Sequence, residues 1–261
     1  MQSEIMPIVI EPKPAPRETL LSRFNVVSLL LFALAACAML YWGLPRTSGT
    51  SAEGYLGLTI PEPAAQVRAL DKSSTTNAQT IIFAGGCFWG VQLVFQHTRG
   101  VLSAVSGYAG GQAADANYAL VSSGATQHAE AVQVRFDPQQ VSLAQLLHIY
   151  FSVVHDPTQL DRQHPDEGAQ YRSAVFTDND SQRQTTQAYV AQLEAAQVFT
   201  AKIVTQISPS AGFYPAEPEH QNYALRNPAS PYIAQFDMPK LAALTTKFAR
   251  LYRDQPATSD R

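Results

Sequence analysis

The chain predicts an α+β fold, a two-layer sandwich with a mixed sheet, preceded by one transmembrane or signal helix. Two observations carry this. From residue 79 onward, short β-branched runs interleave with helically spaced apolar residues, and the runs are half-polar, unlike the strands of a doubly wound parallel sheet. Charge supplies the other: only 15% of the 261 residues are charged, against roughly 25% in soluble domains, and the deficit is concentrated near the N-terminus.

Residues 1–24 read as a cytoplasmic N-terminal tail. Between Arg23 and Arg46 lie 22 consecutive uncharged residues. As a helix this run spans roughly 33 Å, enough to cross a hydrocarbon core. Its membrane part is placed at residues 25–44, with Tyr41 and Trp42 at the headgroup level. Lys13, Arg17 and Arg23 precede the run and only Arg46 closely follows it. The positive-inside rule therefore puts the rest outside the cytoplasm, on the periplasmic side if the source is a Gram-negative bacterium. The segment reads as an uncleaved signal anchor. Alternatively, Leu34-Ala35-Ala36-Cys37 resembles a lipobox, with Cys37 as the lipidated first residue. Either way the protein is tethered. Residues 45–78 mix Pro, Ser, Thr, Gly and Ala without periodicity and read as a linker, in which Tyr55-Leu56-Gly57-Leu58 could dock locally.

The domain proper is placed at residues 79–254. Residues 80–84 form a buried strand ending at Gly85-Gly86, and residues 87–96 follow as a helix with Phe88, Val91, Val94 and Phe95 on one face. Strands are predicted at 101–106 and at 129–136, the second alternating until Asp137-Pro138 stops it. The clearest amphipathic helix covers 143–154 and is capped by Ser142. A strand at 172–176, a helix at 180–197 opened by Asp178-Asn179-Asp180, and a strand at 202–207 complete the pattern. Residues 255–261 are predicted to be a disordered tail.

A formal net charge of −3 argues against an electrostatic grip on nucleic acid. Two cysteines, Cys37 and Cys87, exclude a disulfide scaffold and a Cys-rich zinc site. No nucleotide, flavin or metal motif asks for a bound cofactor. Cys87 is the chemically suggestive residue. Gly85 and Gly86 allow a sharp turn from strand to helix, placing Cys87 in the first helical turn, where free N–H groups and the helix dipole stabilise a thiolate. The plainer alternative is a buried cysteine used as a small hydrophobe. Phe88 and Trp89 are either core or the walls of a small apolar pocket. A thiol hydrolase or acyl transferase would pair Cys87 with His128, His155, His164 or His220. A metal-binding module would use Cys87 with some of these histidines, but no short ligand spacing supports it.

Gly86-Cys87-Phe88-Trp89-Gly90 resembles the signature of the A-type peptide methionine sulfoxide reductases. The resemblance continues through Gly107-Tyr108-Ala109-Gly110-Gly111, Asn117-Tyr118, the stretch from Ser123 to Val132, His155-Asp156-Pro157 and the stretch from Asp166 to Ser173. Phe213-Tyr214-Pro215-Ala216-Glu217 and Glu219-His220-Gln221-Asn222-Tyr223 match the closing segment. Ala125, Gln127 and Ala169 stand where the family usually has Asp, Gly and Thr.

The resemblance implies a plait-like (ferredoxin-like) core and a monomer that reduces methionine-S-sulfoxide, in oxidised proteins and as the free amino acid. It implies that Cys87 attacks the sulfoxide sulfur while Phe88 and Trp89 hold the S-methyl group. Glu130 matches the acid that protonates the departing oxygen. Tyr118 and Tyr171 match phenols that hydrogen-bond this oxygen, and Asp166 a polar residue that orders the site. A carboxylic acid among aromatic rings has a raised pKa and keeps its proton near neutrality, which suits this assignment. A module that binds methionine peptides without reacting would use the same aromatic pocket. Relatives of this kind often resolve the resulting sulfenic acid with a second cysteine near the C-terminus, but this chain has none after Cys87. The expected reductant is an external thiol, a thioredoxin-like protein or glutathione.

Overall fold

The computed structural model describes residues 52–71 and 77–258. The predicted tail and membrane segment, residues 1–24 and 25–44, lie outside them. Among the described residues no helix is long and apolar enough to cross a membrane.

Two short helices, α1 (Ala52–Leu56) and α2 (Ala65–Leu70), precede β1 (Gln79–Ala84) and α3 (Phe88–Gln96). Next come β2 (Val101–Ala109), α4 (Tyr118–Ser122), β3 (Ala129–Phe136) and α5 (Leu143–Ile149). A small hairpin, β4 (Arg162–Gln163) and β5 (Asp166–Glu167), leads to β6 (Ala174–Thr177), α6 (Asp180–Ala195), β7 (Gln206–Pro209) and β8 (Phe213–Pro215). The chain closes with α7 (Tyr223–Arg226) and α8 (Met238–Lys247), whose first residue is the only methionine among those described.

The main sheet has the order β7-β6-β1-β3-β2-β8. Its central four strands are antiparallel and, with α3 and α5, make the βαββαβ plait β1-α3-β2-β3-α5-β6. β7 adds parallel to β6 after the α6 crossover, and β8 adds antiparallel to β2, so the sheet is mixed. The α+β class and mixed sheet expected from the sequence are those observed.

Period-two alternation decides which side chains meet the helices. Ile81 and Phe83 of β1, paired with Val134 and Val132 of β3, join Val91, Val94 and Phe95 of α3 and Leu143, Leu146 and Leu147 of α5 in the main core. Phe83 stacks on Phe95 and Tyr150 with ring centroids 4.8 and 4.9 Å apart. The opposite face carries a smaller cluster built from Ile82, Ala84, Ala109, Ala129, Ala131, Ala174 and Phe176.

Local signals account for the helix starts. Ser142 and Gln145 form a reciprocal capping box, with N···O distances of 3.2 and 2.9 Å. Asn179 caps α6 by accepting from the Gln182 N–H. The predicted helix over 143–154 is α5 followed by a wider π-helical turn, Tyr150–Val154. The Tyr150 hydroxyl donates to the Ala84 carbonyl at 2.7 Å, tying this turn to the end of β1.

Three expectations need correction. Within the stretch read as a linker, residues 52–71 are strapped onto the domain: Tyr55, Ile60 and Val67 are buried, the last two in the main core. Their spacing shows no helical or strand period because the strap binds through isolated anchors. Tyr189 donates to the Pro61 carbonyl at 2.7 Å, Gln192 to that of Glu62 at 2.8 Å, and Ser181 to that of Leu70 at 2.8 Å. The tail, too, is docked as far as Ala257, which is buried and donates its N–H to the Gln96 carbonyl at 2.8 Å. The strand expected at 202–207 starts only at Gln206, where pairing with Ala174 of β6 begins. β8, α7 and α8 carried no strong local period and were not predicted.

Candidate active site

The β1–α3 turn is where the plait presents chemistry. Gly86 has φ +90°, a region that L side chains rarely adopt, and a Cβ there would lie 2.7 Å from Gln163. The turn delivers Cys87 as the N-cap of α3, rather than inside its first turn as expected. Cys87 is buried, with 9% of the residue exposed.

Directly across, alternation along β3 puts Glu130 on the helix side of the sheet, in register with Tyr108 of β2. Its carboxylate accepts the Phe88 N–H at 3.0 Å, so one otherwise unpaired donor of the α3 N-terminus is satisfied by the side chain that shares the pocket with the thiol. Glu130 is 2% exposed, and burial pushes its pKa up to about 8. The Phe88 N–H and a hydrogen bond with Cys87 oppose that rise, while Asp166 adds to it.

The thiol departs from the expectation of a stabilised thiolate. Burial raises its pKa well above the ordinary value, and Glu130, Asp237 and Asp166 reinforce the rise, outweighing the Trp89 N–H that favours the anion. The helix terminus is real, but three carboxyl groups and a dry setting override it.

All seven predicted site residues converge. Tyr118 and Tyr171 both face Glu130, Cys87 and Asp166, and burial raises both phenols' pKa values. Asp166, at the start of β5, accepts a short hydrogen bond from Tyr232. Burial also raises the Asp166 pKa, against the Tyr232 hydrogen bond. Phe88 is wholly buried between Tyr108 and His220, with centroids 6.0 and 5.6 Å away. Trp89 stacks on Tyr223 at 4.0 Å and meets the Tyr232 ring edge-on at 6.1 Å.

Several participants were not assigned roles from the sequence. Glu217 accepts from the Tyr108 hydroxyl at 2.7 Å and from the Tyr118 N–H at 2.9 Å, fixing the start of α4. His220 stacks on Tyr118 at 4.1 Å, and Tyr232 links Asp166 to Trp89. Glu217, His220 and Tyr223 were visible as motif residues, whereas Tyr232 lay in a stretch with no local signal. Behind the site, Asp237 and Lys240 form a buried ion pair of 3.1 Å.

Two of the histidines invoked for a thiol hydrolase, His128 and His155, are engaged elsewhere. His128 bonds the Gln112 carbonyl and the Gly111 N–H, and His155 bonds Ser173 at 2.7 Å. Burial lowers the His155 pKa to about 3, so its ring is neutral.

A buried thiol beside a protonatable glutamic acid, ringed by phenols and walled by Phe88 and Trp89, defines a thiol oxidoreductase site for a small apolar group carrying a basic oxygen. Residues 79–251 match the family described as peptide methionine sulfoxide reductase. The chain is 51% identical to peptide methionine sulfoxide reductase MsrA 2 of Mesorhizobium japonicum, over 72% of this chain and 96% of that one. It is 46% identical to the MsrA 2 of Synechocystis sp., over 75% and 89% respectively. Among solved structures it resembles methionine sulfoxide reductase A of Corynebacterium diphtheriae, with TM-score 0.53 and 35% identity over 65% of this chain and 84% of that one. It also resembles reduced Mxr1 of Saccharomyces cerevisiae, with TM-score 0.54 and 31% identity over 59% and 87%. The chain belongs to the A-type peptide methionine sulfoxide reductase family.

Proposed function

We propose that this reductase, which returns methionine-S-sulfoxide in oxidised proteins to methionine at the expense of thiols, runs its chemistry through a proton exchanged between Cys87 and Glu130. The observation that carries this is Glu130 itself, buried beside the Cys87 turn and accepting the Phe88 N–H, where burial pushes its pKa up to about 8 so that it holds a proton at neutral pH. As the Cys87 sulfur bonds to the sulfoxide sulfur, Glu130 gives its proton to the sulfoxide oxygen and takes up the thiol proton in return. The S–O bond and the new S–S bond then break as the hydroxyl passes to the Cys87 sulfur, and the methionine thioether departs. The substrate sulfur is reduced by two electrons, and Cys87 is oxidised to a sulfenic acid. Phe88 and Trp89 receive the S-methyl group; Tyr118 and Tyr171 donate to the oxygen; Asp166 orders the pocket.

With no cysteine after Cys87, the sulfenic acid meets an external thiol. A first thiol displaces water to form a mixed disulfide, and a second releases Cys87 and leaves as the oxidised disulfide. A thioredoxin-like protein or glutathione fits this requirement, and no bound cofactor enters. The uncharged run of residues 24–45 supports tethering to a membrane, with the catalytic domain outside the cytoplasm.

The test uses the separate S- and R-sulfoxide epimers of a methionine peptide with dithiothreitol. The S epimer is reduced without added metal, and Cys87→Ser abolishes turnover. Activity on the R epimer alone, or none, rejects the proposal. Glu130→Gln keeps the Phe88 hydrogen bond but not the proton, and Glu130→Ala keeps neither. Full single-turnover activity in both variants would remove Glu130 as the acid.

A further inference from the structure

The buried pair beneath α3 has no part in the chemistry above. Asp237 is wholly buried at the end of a π-helical turn, and Lys240, 6% exposed, sits one helical turn further along α8. They press on α3 at Gly90, three residues beyond Cys87. A Cβ at Gly90 would lie 2.0 Å from Asp237 Oδ1 and 2.9 Å from Lys240 Nζ, so the glycine is what lets the pair approach the helix. Oδ2 of Asp237 has no hydrogen-bond partner among the described residues. A half-satisfied carboxylate in a dry interior is costly unless a cation neutralises it.

The pair is sealed by the strap. Tyr55 of α1, 4% exposed, places its hydroxyl 3.4 Å from the Val154 carbonyl and shares an electrostatic environment with Lys240, Asp237 and Asp156. This strap lies outside residues 79–251, the part that defines the family.

We propose that Lys240 is a positioning residue for the reaction: its ammonium offsets the Asp237 carboxylate one turn along α3 from Cys87, and so allows the sulfur to give up its proton. This rests on Cys87 being the attacking thiol. The groups facing that thiol are Glu130 of β3, Asp166 of β5, Tyr118 of α4, Tyr171, Tyr232 and Asp237. Those facing the pair are Tyr55 of the strap, His155 and Asp156 after the π-helical turn of α5, Asp166, Tyr232 and Cys87 itself. Lys240 is the one ammonium in this set. Asp237 raises the thiol's pKa, while burial raises the Asp237 carboxyl's own pKa and Lys240 opposes that rise; at the alkaline pH where the thiol titrates, removing Lys240 leaves an unpaired negative charge beside a sulfur that must itself become negative.

The experiment follows the pH dependence of Cys87 alkylation by iodoacetamide in the full chain, in a Cys37→Ser background so that one thiol reports. Lys240→Met raises the midpoint by about one pH unit or more, slowing alkylation about tenfold in the alkaline range below the midpoint. Asp237→Asn lowers the midpoint, because Lys240 then acts unopposed, and the double variant returns close to the parent. Lys240→Arg keeps the charge and stays near the parent. A pair that only braces the fold would move both single variants the same way, or neither; either pattern overturns the proposal. Should Lys240→Met fail to fold, Lys240→Gln takes its place, because a loosened site hydrates the thiol and lowers its midpoint, whereas loss of the ammonium alone raises it. Retained sulfoxide reduction in Cys87→Ser would remove the underlying reading of the nucleophile and would leave these alkylation midpoints untouched.

Discussion

Replacing Glu130 by Gln should make the protein more tolerant of alkaline pH. In the folded chain Glu130 holds its proton up to about pH 8, whereas an unfolded glutamate loses it near its ordinary value of 4.5. Across that window the folded state binds the extra proton, so the stability this group contributes is full below the unfolded value and is lost as pH rises through the folded one. Between about pH 5.5 and about pH 8.5 the loss is about 3 kcal/mol, a substantial share of the roughly 5–15 kcal/mol that holds a domain together. Gln presents the same carbonyl to the Phe88 N–H and has no proton to lose. His155 and His148, whose burial lowers their pKa values, weaken the fold as pH falls below their unfolded value near 6.5, but they are common to both chains and cancel in the difference. Urea unfolding of both proteins at the two pH values is the assay. The stability of the parent minus that of the variant should fall by about 3 kcal/mol from the lower pH to the higher. A difference that stays constant to within about 0.5 kcal/mol would refute the idea that a buried, protonated acid sits beside Cys87.

Two further substitutions test the frame around the site. Gly90→Ala forces a methyl group against the buried Asp237–Lys240 pair. It should cost at least about 2 kcal/mol in urea unfolding, where an ordinary helical Gly→Ala change stabilises. Tyr189→Phe removes the hydroxyl that holds the Pro61 carbonyl of the strap. It should cost about 1 kcal/mol and speed amide exchange in residues 55–70 before it affects the sheet.

The sequence was most legible where local patterns and chemistry coincide. β1 and β3 were readable because their side chains alternate, or run apolar, between glycine and proline stops. Ser142 and Asn179 announced their helices by side-chain capping. The convergence of Cys87, Glu130, Tyr118, Asp166 and Tyr171 was readable only through the family resemblance, since no local rule links residues so far apart. Lys240 and Asp237 were illegible: on a helix with mixed polarity a lysine and an aspartate three residues apart look like a solvated pair, and only the packing against Gly90 shows them buried. Tyr55 and Ile60 were hidden for the same reason, as single apolar residues in a Pro- and Thr-rich stretch. The thiol's electrostatics misled for a different cause. Helix-terminus reasoning counts the backbone near Cys87, while the deciding charges come from β3, β5 and the C-terminal segment.

Met238, at the head of α8, carries a consequence of another kind. It packs with Leu93, Ala224 and Ile233 under Trp89, and it is the single methionine in the described part of the chain. Thioether side chains are a common target of oxidative damage, and a sulfoxide in an apolar contact loosens what it packs against. A catalyst that works where oxidised proteins accumulate meets the same oxidants as its clients. This domain holds almost nothing of the kind it mends: apart from one partly sheltered methionine, its sulfur is the one thiol that must react. Oxidative attack on sulfur in this domain therefore falls on two atoms, the reactive sulfur of Cys87 and the partly buried thioether of Met238.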